Sequence, residues 1–360
     1  MRYVVYGAGA VGGVVGALLH QAGQEVVLIA RGAHHDAISR DGLRLETPAG
    51  ASTVHVVVVE APDLFDWRAD DLVLLGVKSD ATAACAAALS VAAPPTVAVV
   101  SLQNGVANES TLLRWFERVY GVCVMAPTGH VRPGVVEAHC HPVPAILDIG
   151  RYPGGIDETA ETVSQAFVGA GIVSQPRPDI IAWKYRKLIM NLGNAVQAVC
   201  GRAAGTDELR TVIRDEGEAT LAAAGIESVS EAEDRDRRGD ILQVVDIAGR
   251  PRMGGSSWQS LERRTGSIET DYLNGEIVLL GRWWGVPTPA NELIRREASR
   301  LAFERCGPGI VDPHELLDRL GAGRIDQRPQ SRVASARHGQ AARCGVSQGG
   351  FGARSRGRNR

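Results

Sequence analysis

Residues Arg2 to Arg31 spell RYVVYGAGAVGGVVGALLHQAGQEVVLIAR. Arg2–Tyr6 is a short apolar run of the kind that forms a buried strand. Glycines follow, then a helical stretch from Val11 to Gln21, then a second apolar run, Glu25–Ile29. This is a βαβ unit. Gly7-Ala8-Gly9-Ala10-Val11-Gly12 fits G-x-G-x-x-G at the one place where that pattern carries weight, between a strand and the helix that follows it. Gly7 permits the tight turn, Gly9 lets a pyrophosphate approach the backbone, and Gly12 lets the helix pack on the strand. Free N–H groups and the dipole of the helix N-terminus then favour the phosphates.

The end of the second strand chooses between the two nicotinamide dinucleotides. An acid there would bind a ribose 2′-OH. Here Leu28-Ile29-Ala30 leads to Arg31, whose planar guanidinium suits a 2′-phosphate. The expected cofactor is therefore NADP(H). Further strands are expected at Val54–Val59, Leu72–Val77, Val97–Leu102, Val119–Met125, Val135–Ala138 and Ala145–Ile149, with helices near Thr82–Leu89 and Asn108–Phe116. Strands alternating with helices imply a mostly parallel sheet covered on both faces.

The Gln175–Asp179 segment, QPRPD, reads as a linker. Beyond it, helical spacing of apolar residues runs through Ile180–Val199, Glu208–Ala224, Glu231–Ile247, Ile268–Trp284 and Asn291–Arg305. The expected fold is α/β: a Rossmann-type parallel-sheet domain over residues 1–176, then an all-helical domain over 177–321. Residues 322–360 are rich in Arg, Gly, Ser and Gln, with Asp326 the only acid. Such a segment cannot bury enough surface to order itself. It reads as a basic tail, either touching nucleic acid or a partner or simply solvated.

Composition narrows the function classes. A net charge of −2 gives no global reason to expect nucleic acid or an anionic membrane as partner. Aromatic residues at 5% leave little for stacking on single strands. No apolar run approaches a membrane span, and the N-terminus has no secretory pattern. Six cysteines without C-x-x-C spacing read as reduced thiols, and a cytoplasmic location is expected. His34-His35 and His139-Cys140-His141 lack the further ligands of a zinc site, so no metal is expected. Apolar content in the last helices leaves room for a homodimer.

Ligands of doubly wound sheets sit beyond the carboxyl ends of the strands. Lys78 and Asn104 follow two such ends and read equally as turn residues or as site residues. Lys187 and Asn191, four apart, share a helix face. They read as cleft residues or as an ordinary amphipathic surface. Ser256-Ser257 and Glu269-Thr270-Asp271-Tyr272-Leu273-Asn274-Gly275 stay unassigned on spacing alone.

Taken together, these motifs resemble those of the ketopantoate reductase family: the glycine fingerprint with Arg31, Val77-Lys78, Leu102-Gln103-Asn104-Gly105, Lys187-Leu188-Ile189-Met190-Asn191, Ser256-Ser257, the Glu269–Gly275 segment, and Val286-Pro287-Thr288-Pro289-Ala290-Asn291. The resemblance implies NADPH-dependent reduction of 2-dehydropantoate to pantoate, on the route to pantothenate and coenzyme A. It implies Lys187 as the catalytic lysine and Glu269 as its acidic partner. It places Asn104, Asn191 and Ser257 on the substrate, and Lys78 near cofactor and substrate, with Gly7, Ala8, Gly9, Ala10, Val11, Gly12 and Arg31 on the cofactor. Two positions depart from the family pattern. Ala195 stands where a second Asn is common, and Ser260-Leu261 stand where Gln-Asp is common. A paralogous reductase of another 2-oxo acid, or a non-catalytic NADPH-binding sensor, are the alternatives.

Overall fold

The computed structural model describes residues 1–326. Its central sheet has seven strands, in the spatial order Ile146–Arg151, Arg118–Met125, Ala98–Ser101, Asp71–Leu75, Arg2–Tyr6, Glu25–Ile29, Val57–Val59. All neighbours run parallel except Ile146–Arg151, which is antiparallel to Arg118–Met125 at one edge. Both faces are covered, so the central strands carry apolar residues on both faces rather than alternating. Tyr3 and Val5 enter the core on the face of the first helix, Ala10–Gln21. Val4 and Tyr6 enter a second core with Cys85, Leu89 and Phe116 on the other face. The strand order reverses beside Arg2–Tyr6, and a crevice opens at such a reversal.

Several expected elements change on packing. Val54–Val59 is two strands: Val57–Val59 joins the main sheet, while Gly50–Val54 pairs with Leu43–Thr47. That hairpin extends into a small second sheet with Val135–Ala138 and Thr128–Arg132, lying on the first helix. The stretch Ile180–Val199 breaks into Ile180–Asn191 and Gly193–Cys200.

Among the described residues, the second half is helical apart from one short strand. The expected helix Glu231–Ile247 stops after Arg238, where Gly239 takes φ 44°. Leu242–Val244 then pairs antiparallel with Cys140–Pro142 of the sheet half, stitching the two halves together beside the crevice. The expected tail also starts later than Ala322, because the helix Pro313–Asp326 carries the chain on. Its remaining residues, 327–360, lie outside the described ones. None of the described helices is long and apolar enough to cross a membrane.

Two asparagines of the C-terminal motifs prove to be packing residues. Asn274 donates to Asn291 Oδ1 (3.0 Å) and to Leu192 O (3.2 Å). Asn291 donates to Ile213 O (2.9 Å), and Glu216 caps the backbone N–H groups of Ala290 and Asn291. Both side chains are fully buried, and it is Glu216 that satisfies the otherwise orphaned N–H groups at the start of the helix Pro289–Phe303.

Candidate active site

A cavity of about 410 Å³ lies between the halves, over the carboxyl ends of the parallel strands. The sheet half supplies Gly9–Val11, Gly76–Lys78 and Leu102–Asn104; the helical half supplies Lys187, Asn191 and Gln259 among others.

The glycine loop has the shape a dinucleotide needs. Gly7 takes φ +99°, and a Cβ there would lie 2.7 Å from Val77 N. A Cβ on Gly12 would lie 2.3 Å from Gly7 O, so this glycine is required by helix–strand contact. Gly9 is different: a Cβ there would meet nothing closer than His130 Nδ1 at 4.0 Å. Nothing in the protein's own packing calls for a glycine at that point, and the open space is the cradle a pyrophosphate would fill. Two histidines brace the loop, His34, weighed from sequence only as a metal ligand, and His130, which the sequence did not single out. His34 Nδ1 accepts from Gly134 N (2.9 Å), so Nε2 carries the proton and donates to Ala8 O (2.7 Å). His130 stacks on His34 with ring centroids 4.2 Å apart. Burial, then the neighbouring His34 and Arg263, lower His130 to about 4, so it is neutral at pH 7. Arg31 stands before the next helix, exposed, and donates to Tyr6 Oη at 3.1 Å. Glu60 approaches the adjacent Gly32 N at 3.3 Å.

Lys187 lies on Ile180–Asn191 and is half-buried, its remaining exposure on the cavity. Among the described residues it makes no hydrogen bond and no ion pair. Burial lowers its pKa; Cys123 and Asp234 oppose that shift, while the charges of Arg238 and Arg252 add to it. One turn along, Asn191 Nδ2 donates to Asn104 Oδ1 (3.2 Å), and Asn194 Nδ2 donates to Asn191 Oδ1 (3.3 Å). The helix and the strand-end loop are thus joined across the cavity. Gly105 lets the loop turn there: it takes φ +81°, and a Cβ would lie 2.8 Å from Tyr272 O.

Two expected placements are corrected. Glu269 does not pair with Lys187. Its Oε1 accepts from Ser79 N (3.0 Å) and Ser79 Oγ (3.2 Å), because the turn Glu269–Tyr272 packs on the loop after Lys78. Its charge acts on Lys78 and Arg263 instead. Lys78 faces the cavity, donates to Ser260 Oγ (2.8 Å), and is lowered chiefly by burial. Ser257 is buried, with Oγ unpartnered, and Ser256 is the serine that lines the cavity. Ser257 is the second residue of the helix Ser256–Glu262, which packs on Gly193–Cys200.

The most consequential residue that sequence reasoning missed is Lys184. Its ammonium is buried, 2.8 Å from Glu109 Oε1, and donates to Gln103 O (2.8 Å) and Val122 O (3.2 Å). This pair pins the Lys187 helix to the sheet. The two charges lie 75 residues apart in the chain (184 minus 109), and no local pattern joins them.

Among the described residues, no three His, Cys, Asp or Glu side chains gather as a metal site. A parallel sheet with a glycine phosphate loop, facing a helical half that brings one unpaired lysine to the strand ends, defines a nicotinamide dinucleotide-dependent oxidoreductase. Two family models match the chain: Ketopantoate reductase PanE/ApbA over residues 3–154, and Ketopantoate reductase PanE/ApbA C terminal over residues 179–301. A PanE/ApbA family ketopantoate reductase from Ralstonia eutropha JMP134 superposes with a TM-score of 0.72 at 31% identity, covering 85% of this chain and 99% of that one. A 2-dehydropantoate 2-reductase of Pyrococcus horikoshii is 34% identical over 191 residues, 53% of this chain and 61% of that protein. D-mandelate dehydrogenase, in a ternary structure with NADH and anilino(oxo)acetate, shares the fold at 22% identity with a TM-score of 0.72. The chain belongs to the ketopantoate reductase family.

Proposed function

We propose that this protein reduces 2-dehydropantoate to pantoate with NADPH. The observation that carries the reading is the unpaired ammonium of Lys187 in the cavity, with Asn191 of its helix bonded to Asn104 of the strand-end loop and the open Gly9 cradle on the same cavity. The loop Gly7–Gly12 would hold the pyrophosphate, and Arg31 would grip the 2′-phosphate. When bound, the reduced nicotinamide supplies the hydride. Lys187 stabilises the charge that develops on the substrate's ketone oxygen and delivers a proton to it. Its lowered pKa suits that role, since a group that must release a proton works best when its pKa lies near the operating pH. Asn104 and Asn191 orient the substrate. Glu269, which also lines the cavity, is the acceptor that positions the Ser79 loop beside Lys78.

The test is loss of reduced-nicotinamide absorbance with 2-dehydropantoate, alongside NADH and a panel of 2-oxo acids. Preference for NADPH and 2-dehydropantoate is the expected result. One observation favours a second reading, a paralogue acting on another 2-oxo acid. Ser260, where the family commonly has Gln, is spent on Lys78, and Ala195 offers no amide. Turnover of a different 2-oxo acid would decide for it. Binding of NADPH with turnover of none would favour a sensor.

A further inference from the structure

Three arginines line the cavity, and two of them are already engaged. Arg238 pairs with Asp234 at 2.7 Å. Arg263 donates to Gln259 O (3.1 Å) and His130 O (3.0 Å). Arg252 makes no hydrogen bond and no ion pair among the described residues. Its Nε is wholly buried and unpartnered, although the side chain reaches the cavity. A buried guanidinium nitrogen without an acceptor is costly, and a ligand in the cavity is one partner that would complete the group. Arg252 and Lys187 line the same cavity. The serine expected to meet the substrate carboxylate, Ser257, has its hydroxyl buried away from the cavity lining.

We propose that Arg252 is the carboxylate anchor of this active site. It takes the acid group of a 2-oxo acid through its planar fork, while Lys187 takes the adjacent ketone oxygen. A carboxylate bonded directly to the carbonyl carbon matches two cations on one cavity, one forked and one a point charge. This rests on the 2-oxo acid reading above, and it specifies the substrate class: free acids, in preference to their amides or esters.

The test uses Arg252→Met and Arg252→Lys in the full chain. The first readout is calorimetric binding of oxamate, an unreactive 2-oxo acid analogue, to the enzyme with NADP⁺ bound. The second is the ratio of kcat/KM for a 2-oxo acid to that for its amide. Arg252→Met should weaken oxamate about 10²-fold and collapse the acid-over-amide preference by a similar factor, the size expected for a lost charge-assisted bidentate contact. Arg252→Lys, which keeps the charge and loses the fork, should fall between. NADP⁺ binding should be unchanged in both, which separates a lost anchor from a damaged fold. Unchanged oxamate affinity in Arg252→Met would overturn the proposal. If the unaltered protein turned over no 2-oxo acid, the reductase reading would fail by itself, and oxamate binding would still decide the role of Arg252.

Discussion

On the sheet-facing side of the helix Ile180–Asn191, Lys184 sits in a closed shell of Glu109, Gln103 O and Val122 O. On its cavity-facing side, one turn away, Lys187 has no acceptor among the described residues, and the charges that act on it are Asp234, which favours its ammonium, and Arg238 and Arg252, which oppose it. The same residue type on the same helix is compensated in one region and exposed to demand in the other. The difference separates structure from function. A buried charge whose every partner is protein holds the fold, and a half-buried charge left open on a cavity is held for a ligand. The same contrast separates Arg263 from Arg252, and Gly12 from Gly9.

Breaking the open member should abolish chemistry and spare the fold. Lys187→Ala should lower kcat by about 10²–10⁴-fold, the usual worth of a general acid, with unchanged thermal unfolding and NADPH affinity. In the unaltered enzyme, reduction should fall as pH rises through the lysine's lowered pKa, short of the ordinary 10.5, because the deprotonated amine has no proton to give. Near-normal turnover in Lys187→Ala would remove this residue from its role.

Breaking the closed member should do the reverse. Lys184→Met leaves Glu109 buried and unpaired, at a cost of about 3–5 kcal/mol in unfolding free energy. The double change Lys184→Met with Glu109→Gln should recover part of that loss. If urea titration shows the single variant as stable as the parent, the pair is not the pin described above.

The brace under the glycine loop sharpens the comparison through pH. His130 has a folded pKa of about 4, below its unfolded value, so the unfolded chain binds the extra proton between the two. Its contribution is present above the unfolded pKa of about 6.5 and is lost as pH falls toward about 4, up to ~3 kcal/mol in all. His130→Gln should flatten that part of the stability profile. An unchanged acid slope would count against it.

The smallest expected effect lies at the cofactor's far end. Arg31→Ala should weaken NADPH about 10-fold or somewhat more and leave NADH nearly unchanged, since only the 2′-phosphate loses a partner. Equal losses for both cofactors would place Arg31 elsewhere in the cradle.

Much of the sheet half was legible because its signals are local. Arg2–Tyr6, Glu25–Ile29 and Val135–Ala138 fall where their apolar runs lie. The hairpin Leu43–Val54 escaped notice because one of its strands, Gly50–Val54, is mostly exposed and reads as loop. The strand Leu242–Val244 escaped because three residues carry no period, and its pairing partner lies about a hundred residues earlier. In the site, Lys187, Asn191, Asn104 and Lys78 could be picked from motifs, and they do converge on one cavity. The pairing of Glu269 and the exposure of Ser257 could not be read this way. Both depend on which way a short turn or helix is rotated against another element.

By itself, the sequence determined the βαβ unit, the glycine loop with its need for a close-approaching ligand, and a helical second half. Each follows from side-chain period or backbone freedom within a few dozen residues. Only the tertiary structure decided which charges are neutralised and which stay open: Lys184 against Lys187, Arg263 against Arg252, Glu269 toward Ser79. The physical reason is that compensation of a buried charge is set by acceptors brought from distant parts of the chain, and the fall-off of charge interactions with distance makes a few ångströms of placement decisive.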